Sequence, residues 1–336
     1  MSSGGGSRAV LAALGANLGI AVIKFVAFAI TGSASMLAEG VHSVVDSCNQ
    51  CLLLIGARSS RRAATPEHPF GYGRDRYVYG FLVALMLFSA GGLFALYEGV
   101  QKIRHPHHLD SPIVAIVILA AAICLESFSL RTAIGESREL KGTDSWPAFI
   151  RHAKVPDLPV VLLEDVAALI GLAFAFAGVG LSAATGQRVW DGIGTTAIGV
   201  LLLSVAVILV IETKSLLIGE SAAPVQQTAI RDALLGGGVD RIIHLRTMHL
   251  GPDELLVGAK LAMPATTTLA EVAREIDEAE ARVRAAVPSA RVIYLEPDLD
   301  RGASSAAPAE AAPSGARGDT HGDAYRETHG DAPGDA

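Results

Sequence analysis

Glu39, His42 and Asp46 stand at i, i+3 and i+7 inside an apolar segment long enough to cross a membrane. A helix puts the three on one stripe. Carboxylates and an imidazole are costly in hydrocarbon unless they pair, bind a metal or line a wet cavity. His42 and Asp46 share a face at i, i+4, and imidazole with carboxylate suits Zn2+ and, less selectively, Mn2+, Fe2+ or Co2+. The stripe therefore reads as half of a divalent-metal site, with a polar helix–helix contact as the competing reading. Two ligands do not complete a tetrahedron, so another helix must contribute. Glu164 and Asp165, in Leu163-Glu164-Asp165-Val166, are the candidates. Neighbours in sequence are turned by about 100° around a helix, so both cannot face one centre equally. Alternatively, the two are first-turn acids at the membrane–water interface.

Other ionisable residues have plainer readings. Asp191 opens a segment, where a carboxylate favours the helix dipole. Glu212 sits at the inner boundary and reads as solvated, and Glu126 reads as one turn from the inner end of its segment, within reach of Arg131. His105, His107 and His108 cluster in an outer loop, and Lys24 stands inside the first segment without an assigned partner.

The elements that must position these residues are apolar. The chain has 336 residues, 51% hydrophobic and 18% charged, with mean hydropathy +0.41. Soluble domains run at about a quarter charged, so this is a membrane composition. A net charge of −7 argues against nucleic acid as a partner. Six segments come near the ~20 residues that a bilayer requires: 9–30, 36–57, 78–97, 113–130, 159–183 and 192–211. Arg8, Arg58, Arg61, Arg62, Arg74, Arg76, the basic residues between Arg131 and Lys154, and Lys214 fall on one side of them. Lys102, Arg104 and Arg188 fall on the other. The bias puts both termini and the longer loops in the cytoplasm. Cys48, Cys51 and Cys124 make no disulfide framework, and the Cys-x-x-Cys pair reads as small apolar packing.

After the sixth segment the pattern changes. Pro224 opens a helix that stops at Gly236-Gly237-Gly238. The stretches 241–249 and 254–263 alternate as strands around Gly251-Pro252-Asp253. Thr268 and Glu271 form a capping box ahead of a helix reaching Ala286, and 291–295 reads as a third strand. This order predicts a small α+β layer. From Gly302 onward the chain is rich in Ala, Gly, Pro and Asp and repeats Thr-His-Gly-Asp-Ala, a composition that predicts disorder. The expected division is a cytoplasmic N-terminus 1–8, a six-helix membrane unit 9–218, a cytoplasmic unit 219–300 and a tail 301–336.

Ser33–Asp46, followed by Glu67-His68-Pro69-Phe70-Gly71-Tyr72-Gly73-Arg74-Asp75-Arg76-Tyr77, resembles the cation diffusion facilitator family. The Leu-Leu-Glu-Asp run and Leu245–Pro252 look like the branch that includes mitochondrial-type zinc transporters. The resemblance implies a six-helix transmembrane bundle with a C-terminal cytoplasmic α+β domain, ferredoxin-like and dimerising. It implies a homodimeric, proton-coupled exporter, not an enzyme, with Zn2+ or another divalent cation as cargo and no cofactor. The Ala-, Gly- and Arg-rich composition points to the plasma membrane of a bacterium. By the resemblance, His42 and Asp46 match the pair on the second helix, Asp165 matches the aspartate on the fifth, and His68 matches a ligand of a secondary site. The chain departs from the pattern at Val161, where a ligand four residues before the aspartate is usual. Glu39, Glu164 or water could complete the site, and more carboxylates would favour harder ions such as Mn2+ or Fe2+. His244, His249 and Glu296 remain in the C-terminal region, but Lys260 and Tyr294 occupy ligand positions, so no binuclear cluster is expected there. A membrane sensor or scaffold that binds without moving ions is the alternative, and a membrane metalloenzyme using Glu39, His42 and Asp46 ranks behind both.

Overall fold

A computed structural model describes residues 6–31, 34–105, 112–143, 145–187 and 189–299. The first part is helical: α1 (Ser7–Thr31), α2 (Ala34–Ser59), α3 (Asp75–Met86), a π-helical stretch (Leu87–Leu93), α4 (Phe94–Arg104), α5 (Pro112–Lys141), α6 (Trp146–His152), α7 (Asp157–Thr185) and α8 (Val189–Ile218). Five stretches are long and apolar enough to cross a membrane: Ser7–Ile30, Asp75–Arg104, Ile116–Lys141, Asp157–Thr185 and Val189–Ile218. The remaining expected span, α2, has 26 residues, ample for a bilayer, but is loaded with Asp46, Asn49 and Gln50. It packs against α1 and α3. Large apolar side chains such as Val22, Ile30, Val200 and Ile211 are exposed, as lipid-facing positions must be.

Three expectations need correction. The fourth segment does not stop at 130: α5 runs to Lys141, because the polar stretch after Leu130 is rich in good helix formers. Glu126 is consequently deep within that helix rather than near its end. It is buried, Arg131 is exposed, and no ion pair joins them. The short helix α6, capped by the Ser145 hydroxyl accepting from the Ala148 N–H, had no counterpart in the apolar pattern. Cys48 and Cys51, expected to serve small apolar packing, are free and exposed, as is Cys124.

Glycine sets how closely α8 meets the third span. A Cβ on Gly199 would lie 2.6 Å from the Leu96 N, and one on Gly99 would lie 2.5 Å from the Thr196 N. On the same interface, a Cβ on Gly92, in the π-helical stretch, would lie 2.7 Å from the Leu203 side chain. Without hydrophobic drive between helices in lipid, such backbone contact is a main source of cohesion. At its N-terminal end the third span is held by Arg76, which donates to Asp157 at 2.6 and 2.9 Å in a buried ion pair with α7. At the outer end Lys102 meets Glu98 at 3.1 Å and Asp191 at 3.4 Å. Asp191 thus serves both the α8 dipole and an ion pair.

The second part comprises α9 (Pro224–Leu234), β1 (Arg241–Gly251), β2 (Glu254–Met263), α10 (Leu269–Ala286) and β3 (Ala290–Leu299). The sheet order is β1-β2-β3, antiparallel between β1 and β2 and parallel between β2 and β3. Its core gathers Ile230, Leu234, Leu255, Val257, Leu261, Ala279 and Val283. The capping box forms as expected, with the Thr268 N–H donating to Glu271 at 2.8 Å. Lys260 bridges Glu296 at 2.9 Å and Asp298 at 3.0 Å on β3, so Glu296 is committed to an ion pair. The tail beyond 300 and residues 1–5 lie outside the described residues.

The two parts meet where the 61–74 loop and the end of α8 touch β1. Gly73 and Gly251 approach so closely that a Cβ on Gly73 would sit 2.7 Å from the Leu250 carbonyl. The Arg74 Nη2 contacts the Met248 Sδ at 3.2 Å. Glu220, just past α8, pairs with Lys154, while its carbonyl accepts from the His249 N–H at 2.8 Å. His249 is 2% exposed, and neither ring nitrogen has a full hydrogen bond among the described residues. Burial, helped by the nearby Lys154 ammonium, pushes its pKa below the ordinary 6.5 against the opposing Gly251 carbonyl and Glu220. Burial would raise the Glu220 carboxyl, but hydrogen bonds from Lys154 and Ser215 and the charges of Lys154 and His249 outweigh it and hold it low.

Two outcomes follow from this packing. Gly199→Val should destabilise the bundle by about 1–3 kcal/mol through overpacking, seen as a lower unfolding midpoint in detergent. For His249, the unfolded chain takes up a proton near pH 6.5 that the folded ring resists until lower pH. Folded-state stability should therefore fall as pH drops below about 6.5. His249→Gln should flatten that slope below about pH 6.5 in thermal unfolding scans.

Candidate metal site

On α2, Ser43, Ser47, Asn49, Gln50 and Leu53 are buried and Asp46 is half-buried. The side chains of Glu39 and His42 lie outside the described residues, although both belong to α2. On α7, Glu164 and Asp165 are buried, at 9% and 3% exposure. They are the eighth and ninth residues of a helix that starts at Asp157, beyond its first turn, so the interfacial reading does not hold.

The two neighbours have different partners because the helix turns them to different sides. Both oxygens of Glu164 are taken: Asn49 Nδ2 donates to Oε1 at 3.3 Å and Gln50 Nε2 to Oε2 at 2.9 Å. Gln50 in turn accepts from Asn17 Nδ2 at 3.2 Å. These amides bridge α1, α2 and α7 and leave Glu164 poorly placed to give up an oxygen to a cation. Asp165 faces α5, where Ser129 Oγ donates to Oδ2 at 2.7 Å. That single bond leaves Asp165 capacity to accept further donors or a metal. Val161, at the position where the resemblance expects a ligand, is fully buried in the apolar core.

Glu126 joins the same region. The buried residues of α5 include Ile118, Ala122, Glu126, Ser129, Ala133 and Ser137, a stripe of i+3 and i+4 steps. Ser129 touches Asp165, and the charges acting on Glu126 are Asp165, Asp46 and Lys24. Lys24 of α1 donates to Ser43 Oγ at 3.0 Å, which explains a cation inside the first span.

His68 is not part of this arrangement. It lies exposed in the 61–74 loop, its Nδ1 2.8 Å from the Glu67 carbonyl and its ring edge-on to Tyr72 at 4.6 Å. Thr65 and Tyr72 approach each other at 3.4 Å between Thr65 Oγ1 and the Tyr72 hydroxyl, so the loop is organised by its own contacts. Among the described residues no three His, Cys, Asp or Glu side chains form a group that could hold a metal. Asp46, Glu126, Glu164 and Asp165, from three helices, act on one another through their charges without forming such a group. Sequence reasoning missed Asn17, Asn49, Gln50 and Ser129 as their partners. Asn49 and Gln50 follow Asp46 at i+3 and i+4, and Ser129 follows Glu126 at i+3, spacing that could have flagged them.

A bundle of apolar helices carrying ionisable groups at mid-depth, with a small α+β layer attached, defines a multi-pass membrane protein with an internal polar site. Residues 10–218 match the model of the cation efflux transmembrane domain, and the chain belongs to the cation diffusion facilitator family, whose members are transporters and not enzymes. It is 34% identical over 224 residues to the mouse proton-coupled zinc antiporter SLC30A9, mitochondrial, covering 66% of this chain and 39% of that protein. It is 30% identical over 257 residues to metal tolerance protein C4 of Arabidopsis thaliana, covering 76% and 56%. It is 27% identical over 290 residues to the cation-efflux pump FieF of Pectobacterium atrosepticum, covering 85% and 90%. The chain thus spans about two-fifths of the length of the zinc antiporters that it matches.

The amide bridge gives a direct check. Gln50→Leu leaves one Glu164 oxygen unsatisfied and should cost about 1–3 kcal/mol. The double change Gln50→Leu with Glu164→Leu should recover part of that loss, read as unfolding midpoints in detergent.

Proposed function

We propose that this protein moves a divalent metal cation, Zn2+ foremost, out of the cytoplasm in exchange for protons. Binding would centre on His42, Asp46 and Asp165, with alternating access to the two sides of the membrane. The observation that carries the reading is Asp165, a buried carboxylate in the interior of an apolar helix, held by one serine and facing a region that also contains Asp46. Such a group is costly unless it has a charge-neutralising task. Similarity to proton-coupled zinc antiporters supports the same task.

Coupling follows from ligand chemistry. A cation needs a neutral imidazole and ionised carboxylates, so binding releases protons and reprotonation releases the ion. An inward proton gradient then favours release toward the acidic side. The distribution of basic residues supports both termini in the cytoplasm of a bacterial plasma membrane, with 219–300 as a cytoplasmic unit and 301–336 as a tail. We read the working form as a homodimer, with the sheet of the cytoplasmic unit contributing to its contact. Glu39 and Glu164 are supporting positions at most, Glu164 because its oxygens are already bonded, and His68 stands at the loop as a secondary site. A sensor that binds without transport is the second reading, favoured by the apolar Val161 where a ligand would complete the site.

In proteoliposomes with an imposed pH gradient, Zn2+ uptake should be vectorial and saturable. His42→Ala, Asp46→Ala and Asp165→Ala should each reduce it to the level of empty vesicles, with the elution profile of the folded protein retained. Undiminished flux in these variants would remove the site assignment, and metal binding without flux in the parent protein would favour the sensor.

A further inference from the structure

Glu126 is a buried ionisable group to which the proposed site assigns no role. It is 6% exposed within a membrane-spanning helix, and among the described residues no hydrogen bond or ion pair reaches it. Its neighbours Asp46 and Asp165 add negative charge to the same space. Ser129, one turn further along the same face of α5, is in contact with Asp165 at 2.7 Å, and residues at i and i+3 project to the same side of a helix. The Glu126 carboxylate is therefore directed at the surroundings of Asp165 and not at lipid.

Two other places from which a ligand could come are closed among the described residues. Val161 is apolar and packed in the core, and both Glu164 oxygens are occupied by Asn49 and Gln50. An unpartnered buried carboxylate beside two others is an arrangement that only a cation, or protons, makes affordable. We propose that Glu126 is a ligand of the transported cation, supplied from α5 in place of the missing ligand on α7. This rests on the transport reading above. It makes the site richer in oxygen than one built from histidines, so the cargo class shifts toward harder ions such as Mn2+ and Fe2+ alongside Zn2+. Lys24, the cation nearest to this group in the structure, sets its resting electrostatics and is held by Ser43.

The test uses the full chain, as detergent-solubilised protein for equilibrium binding of Mn2+ and Zn2+ and as proteoliposomes for initial rates. Glu126→Gln should weaken Mn2+ binding at least tenfold and Zn2+ binding less, with half-saturating concentrations for transport moving in parallel. Glu126→Asp, which keeps the charge but shortens the reach, should fall between Glu126→Gln and the parent. It also serves as the variant read if Glu126→Gln does not fold. Binding and half-saturation of both ions within twofold of the parent would overturn the proposal. So would a lower maximal rate with binding unchanged. Asp165→Asn separates the two levels: if it abolishes binding while Glu126→Gln is silent, only the role of Glu126 fails. If Asp165→Asn is silent too, the transport site itself is misassigned.

Discussion

Everything in the membrane part depends on the cost of keeping carboxylates in a low-dielectric interior. Asp46, Glu126, Glu164 and Asp165 come from three helices into one region, where mutual repulsion and lost hydration would expel them from an ordinary core. The surroundings offset this with donors: the Asn49 and Gln50 amides on Glu164, the Ser129 hydroxyl on Asp165, and the Lys24 ammonium acting on Glu126. The compensation is uneven. Both oxygens of Glu164 are bonded, whereas Asp165 and Glu126 retain accepting capacity.

Around this polar region the bundle uses two kinds of contact. The third span and α8 meet through glycines at near backbone distance, an interface that tolerates little change in shape. The α2–α7 connection instead runs through long amide side chains, which can re-form hydrogen bonds after a shift. The junction with the α+β layer is of the stiff kind, with Gly73 against Gly251, Arg74 against Met248 and the Lys154–Glu220 pair fastening the inner loops to β1.

The C-terminal layer is held by ion pairs and an aliphatic core. Lys260 ties β2 to β3 through Glu296 and Asp298. Aliphatic side chains under α9 and α10 fill the core. His249 is a buried imidazole at the junction, its pKa lowered by desolvation and by Lys154.

Much of this was written in the chain. Apolar runs of bilayer length, the Thr268–Glu271 box, the alternation in 241–263 and the His42–Asp46 spacing are local signals. Each follows from helix period, strand period or capping chemistry acting over a few residues. The stretch Ser33–Asp46 together with the loop from Glu67 to Tyr77 sufficed to place the family. What only the tertiary structure decided are contacts between residues far apart in sequence. The end of α5 was misjudged because hydropathy ends at the lipid while a helix does not, and with it Glu126 was given to Arg131 instead of the Asp165 region. Glu164 and Asp165 are indistinguishable by type and adjacent in sequence. Their roles part only because one turns toward the amides of α2 and the other toward Ser129 on α5. Partner identity in a buried polar network is set by which helix faces meet, and no local pattern carries that information.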